Sequence, residues 1–149
     1  MKVEIYIEHT FKSPRRTQGV YGYILVYKAP DGKEATKTVI KELSATPHEA
    51  DLTAAVEALG KLNRPCEVEI IAGSRYLRET VEAGWLDRWT GNGWKNAKGD
   101  PIANLELWQQ YEELMRLHQI TYTPDGSFRR WLQAEVEKVK QEKKKERGK

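Results

Sequence analysis

Residues 3–8 alternate as Val-Glu-Ile-Tyr-Ile-Glu, and a period of two predicts a strand. Val20–Lys28, VYGYILVYK, is rich in β-branched and aromatic residues and predicts a second strand. Pro30-Asp31-Gly32 is a turn signal, so Glu34–Glu42 returns as a third. The period then changes. Leu52, Ala55, Val56 and Leu59 recur at helical spacing. Ahead of them Thr46 is placed to cap, Pro47 sits at the first helical position, and Glu49 completes a capping-box pattern. Asn63-Arg64-Pro65 ends that helix, and Cys66–Ala72 reads as a fourth strand. Ser74–Trp89 reads as one helix, with Tyr76, Leu77, Val81, Trp85 and Trp89 on its apolar side. Two loops follow, Thr90–Gly93 and Ala97–Pro101. Asn104 is then positioned to cap a helix over Leu105–Leu117, His118–Thr123 is a fifth strand, and Phe128–Lys145 a last helix.

The order β-β-β-α-β-α-α-β-α predicts an α/β fold. Three antiparallel strands and a βαβ unit make a five-stranded mixed sheet with helices on both faces. The strand–helix–strand passage sets the fourth strand parallel to the first. No repeat or interdomain linker interrupts residues 1–137, which read as one domain. Residues 138–149 hold seven Lys/Arg against two Glu and read as a basic, fraying tail.

Composition narrows the classes. There is no apolar run of about 18 residues, so no membrane span is expected. The opening MKVEIYIEHT is strand-like and lacks the pattern of a secretory signal. A single cysteine, Cys66, excludes an internal disulfide and a cysteine-rich zinc site, and it is expected as a small buried residue. Together these place the chain in the cytoplasm. The net charge is only +3, but Lys12, Arg15 and Arg16 form a second basic cluster, which suits a polyanion.

The words inside these elements resemble ribonuclease H. Val3–Glu8 is similar to that family's opening strand, which ends in a carboxylate. Glu49-Ala-Asp51-Leu-Thr-Ala-Ala-Val-Glu-Ala-Leu59 resembles the helix carrying the second acid, and Cys66–Tyr76 resembles the fourth strand and the start of the next helix. The most specific stretch is Trp89–Trp108, whose tryptophans, glycine, proline and asparagine match the spacing of the basic handle and the helix after it. The resemblance covers residues 1–123.

It implies an endonuclease that cuts the RNA strand of an RNA–DNA hybrid with two Mg²⁺ or Mn²⁺ ions held by carboxylates. Glu8 and Asp51 then stand at the first two acid positions, as catalytic and metal-binding residues. The third position fails: the family's Thr-Asp-Ser reads Ala72-Gly73-Ser74. No acid aligns at the fourth; Asp125 and Glu135 are the nearest. The resemblance also implies substrate contacts by Thr46, Arg75, Trp94, Lys95 and Lys98. His9, following Glu8, is expected on the opposite side of the strand. His48 is expected at the surface or as a cap. Three readings stay open: a hybrid-cutting nuclease with impaired or lost activity, a non-catalytic nucleic-acid-binding domain, and a protein-interaction scaffold.

Overall fold

The computed structural model describes residues 1–148. Strands β1 (Lys2–His9), β2 (Thr17–Lys28) and β3 (Glu34–Ala45) form an antiparallel meander. Helix α1 (Pro47–Gly60) crosses to β4 (Glu67–Ala72), which pairs with β1 in parallel. Helices α2 (Tyr76–Glu82), α3 (Trp85–Asn92) and α4 (Leu105–Leu117) lead to β5 (Gln119–Thr123), parallel to β4, and α5 (Arg129–Arg147) follows. The sheet order is β3-β2-β1-β4-β5. The predicted α/β architecture is the observed one.

Two apolar layers explain the strand patterns. Val3, Ile5, Ile7, Tyr21, Tyr23 and Leu25 pack against α1 and α4. Tyr6, Ile24, Val26 and Ile71 pack against Leu132 and Val136 of α5. A strand covered on both faces is apolar at consecutive positions, as β2 is from Gly19 to Val26. The close approach of α5 depends on Gly22: a Cβ there would lie 2.9 Å from Val136 Cγ1 and 3.2 Å from the Val39 carbonyl. Helix α1 lies between the sheet and α4. Its alanines 50, 54, 55 and 58 are all buried, a wider apolar face than the helical stripe predicted.

The expected cap at Thr46 is present, its hydroxyl accepting from the Glu49 N–H at 3.2 Å. The reciprocal arm is absent, because Glu49 turns to Arg16 instead (3.0 Å). Three local expectations need correction. The helix predicted over Ser74–Trp89 is two helices, broken at Gly84, which takes φ 79° in the left-handed region open to glycine. That break turns Trp85 outward, 43% exposed rather than in the core. Asn104 makes no side-chain cap, having itself a left-handed backbone. Residues 138–147 belong to α5, as the helix predicted to Lys145 implies, and Arg147 pairs with Glu42 of β3. Lys149, the end of the predicted tail, lies outside the described residues.

Candidate active site and nucleic-acid interface

Strand alternation decides where the predicted acids go. Glu8 shares the Tyr6 face of β1, toward α5, while His9 shares the Ile7 face, toward α1. Parallel pairing of Ile7 with Ala72 brings Glu8 and Gly73 side by side at the ends of β1 and β4. The Pro124–Gly126 turn then reverses the chain and sets the first residue of α5, Arg129, over these strand ends. Arg129 Nε donates to Glu8 Oε1 at 3.1 Å. Its guanidinium fills the space a side chain at position 73 would need: a Cβ on Gly73 would collide with Nη2 and come within 3.2 Å of Cζ and Nε. Glu8 is buried. Burial pushes its carboxyl above the usual range, and the hydrogen bond and charge of Arg129, the charge of His9 and a hydrogen bond from Gln133 oppose that rise.

Asp51, on α1, is 2% exposed. Its partner is the predicted neighbour of Glu8. The Phe11 backbone N–H donates to His9 Nδ1 (3.1 Å), so in the neutral ring the proton resides on Nε2, 3.2 Å from Asp51 Oδ1. The other oxygen, Asp51 Oδ2, is buried without a partner. His9 does point to the opposite side of the strand from Glu8, as expected, and that is the side on which Asp51 sits.

The remaining candidates lie at the start of α1, before α2 and in the loop after α3. A train of rings runs from the start of α1 into the handle. His48 stacks on Tyr76 (centroids 3.7 Å apart, planes 5° apart), Tyr76 meets Trp108, Trp108 meets Trp89, and Trp89 meets Trp94. The buried Trp108 closes the chain by donating Nε1–H to Tyr76 Oη at 2.9 Å. Trp94 is half-buried at the root of the loop, with φ 64°, a left-handed backbone unusual for a large side chain. Beyond it the loop is stiffened by its own amides. Asn92 bonds both the N–H and the C=O of Lys95 (3.1 Å each), and Asn96 Oδ1 accepts from the N–H of Lys98 and of Asp100. Lys95 and Lys98 are left exposed. Arg75 is exposed two residues after Gly73, and its salt-bridge partner among the described residues is Glu79 at 3.7 Å. Thr46 is committed to its cap.

The donor set does not fit the pair of divalent ions that the resemblance implies. One acid is already engaged by a guanidinium, the third is Gly73, and the guanidinium's positive charge lies where a second cation would have to approach. Among the described residues no three His, Cys, Asp or Glu side chains converge to hold a metal. Arg129 is the site residue that the sequence reading passed over. The available signal was a cation near the position of a missing fourth acid, in a chain whose third acid was also missing.

A mixed sheet in this order, with Glu8 near the end of β1, Asp51 near the start of α1 and a loop after α3 that carries Trp94, Lys95 and Lys98, defines an α/β protein of the nuclease-like kind. The ribonuclease H family pattern matches residues 2–123, and the chain belongs to that family. A ribonuclease H of Clostridium botulinum (strain Hall) is 33% identical over 123 residues, 81% of this chain and 80% of its own length. One from Chlorobium phaeobacteroides (strain BS1) is 42% identical over 90 residues, 57% of this chain and 62% of that protein. Among solved structures, LC9-RNase H1, described as a type 1 RNase H with the type 2 active-site motif, superposes with a TM-score of 0.71 at 21% identity, over 93% of this chain and 69% of that one. The foamy viral protease–reverse transcriptase in complex with RNA/DNA hybrid gives 0.63 at 19% identity, over 95% of this chain and 19% of its own. No helix among the described residues is long and apolar enough to cross a membrane.

Proposed function

We propose that this chain engages an RNA–DNA hybrid on the surface running from Glu8 and Gly73 to the handle loop, and that metal-dependent hydrolysis of the RNA strand is impaired or lost. The observation that carries this reading is the guanidinium of Arg129 beside Gly73, paired with Glu8, in place of a third carboxylate. Two-metal hydrolysis depends on placing both ions within a fraction of an ångström, so losing one of three central carboxylates costs orders of magnitude in rate. Binding makes a weaker demand, needing exposed cations and ring faces at fixed positions. Lys95, Lys98 and Arg75 supply the cations, and the half-buried Trp94 at the loop root is the candidate ring. The family pattern and the hybrid-bound viral neighbour support hybrid as the ligand.

The test pairs two assays on the full chain. Fluorescence anisotropy with hybrid, duplex DNA and duplex RNA at several salt concentrations is expected to give the tightest binding to hybrid. Cleavage of labelled hybrid in Mg²⁺ or Mn²⁺ is expected to be absent or slow. Cleavage as fast as that of a ribonuclease H with all its acids would overturn the loss of hydrolysis. No binding to any of the three at low salt would remove the nucleic-acid reading and leave a protein-interaction scaffold.

A further inference from the structure

The acids that remain are not vacant ligands; each already has a partner from the protein. Asp51 has His9 and Glu8 has Arg129. The two partners differ in what they leave over. Both nitrogens of His9 are committed, Nδ1 to the Phe11 N–H and Nε2 to Asp51, so His9 has neither a donor nor a lone pair for a ligand. Arg129 uses only Nε in a hydrogen bond among the described residues. Nη1 is 3.9 Å from Asp125, and Nη2 lies over the bare backbone of Gly73. The side chain is 29% exposed and opens to solvent at the strand ends. A guanidinium offers five donors in a planar fork, and one ion pair through Nε leaves the two Nη groups for a second anion.

We infer that Arg129 is a built-in cation that binds a backbone phosphate of the hybrid directly, so that phosphate engagement at this site needs no divalent metal. The inference rests on the hybrid-binding reading and specifies its chemistry. Gly73 and Arg129 form a matched pair. Absence of a side chain at 73 makes the room, and the turn through Pro124–Gly126 delivers the guanidinium into it. Glu8 holds the guanidinium in place through Nε and leaves Nη1 and Nη2 without a hydrogen-bond partner among the described residues. A phosphodiester carries one negative charge and two free oxygens, which match the two Nη groups.

The experiment is anisotropy titration of the full chain with RNA–DNA hybrid, in EDTA and in Mg²⁺ at equal ionic strength. The parent is expected to bind equally in both. Arg129→Met should weaken binding about tenfold or more, the loss of a charge-assisted contact, and flatten log affinity against log salt by up to about 0.9, the value for one phosphate on duplex DNA. Glu8→Gln should tighten binding, because the guanidinium is no longer neutralised. Opposite effects from the two halves of one ion pair cannot both come from misfolding. The double variant Glu8→Gln/Arg129→Met, which leaves no unpaired carboxylate, should bind as weakly as Arg129→Met. Binding by the parent that requires Mg²⁺ would overturn the inference while leaving the hybrid reading intact. Parent-like binding by both Met variants would also overturn it. Absence of parent binding in either buffer would remove the hybrid reading itself, and the inference with it.

Discussion

Gly73 and Arg129 carry the most consequential substitution in this chain, and they act as a unit. Asp placed at 73 alone projects into the guanidinium and forms an ion pair with it, adding an acid without freeing a metal site. Gly73→Asp is therefore expected to leave Mn²⁺ binding, followed by calorimetry, at the level of the parent. Gly73→Asp with Arg129→Ala should create measurable Mn²⁺ binding and raise hybrid cleavage above either single variant. Equal metal binding by the single and double variants would show that the guanidinium is not the obstacle. The neighbouring pair is structural in a different sense. Asp51→Ala removes the acceptor facing His9 Nε2 and is expected to destabilise the fold by about 1–3 kcal/mol, the cost of an unsatisfied polar group. Asp51→Asn keeps an acceptor and should cost less in urea denaturation. Glu8 and Asp51 were legible in the sequence as acids where the resemblance expects them. Their partners were not, because Arg129 lies 121 positions from Glu8 and His9 and Asp51 come from different elements, and pairings across elements leave no local pattern.

Among the elements, the junctions are the sensitive points. At the start of β4, the Cys66 N–H donates to His118 Nδ1 across 3.1 Å, tying β4 to the end of α4. Burial holds the His118 imidazole below its ordinary value of 6.5. The unfolded chain therefore binds this proton more tightly than the folded one. The stabilisation is full above pH 6.5 and is lost as pH falls through the lowered folded value. Thermal denaturation between pH 7.5 and 5 should show that loss, and His118→Gln should flatten it. A variant with an unchanged pH profile would place the titration elsewhere. On the other sheet face, Gly22→Ala pushes against Val136 and the Val39 carbonyl and should cost about 1–3 kcal/mol as an overpacked core does. The strand periods and the α1 cap could be read in advance. The break at Gly84 could not, since one glycine in a helical pattern is a mild cost that tertiary packing either overrides or exploits.

At the scale of the whole molecule, the proposed hybrid binding depends on where charge is displayed rather than on how much there is. The excess is only +3, yet Lys95 and Lys98 project from a loop fixed by Asn92 and Asn96. Replacing both by Ala should lower hybrid affinity and reduce the salt slope by up to about two units, taking the duplex-DNA value for each phosphate. Trp94→Ala should weaken binding by about 1–3 kcal/mol if a base or sugar stacks there. Because Trp94 also packs on Trp89, the melting temperature of that variant must be measured alongside. Binding unchanged by all three substitutions would move the contact to Arg15 and Arg16 or to the basic end of α5.

What the sequence alone determined is the succession of the five strands, the helices before β4, before β5 and after it, the parallel placement of β4 beside β1, the family words of the handle, and a glycine at 73 where the resemblance expects an acid. These follow from local periods, turn chemistry and the handedness of a βαβ crossover, all of which act over a few residues or one connection. Only the tertiary structure decided what replaced the acid. The turn after β5 returns α5 across the strand ends, and a strand's two-residue period sends Glu8 and His9 to opposite faces, each to a different partner. Charge compensation is settled by distance in space, and the guanidinium that answers Glu8 enters the site from the last helix.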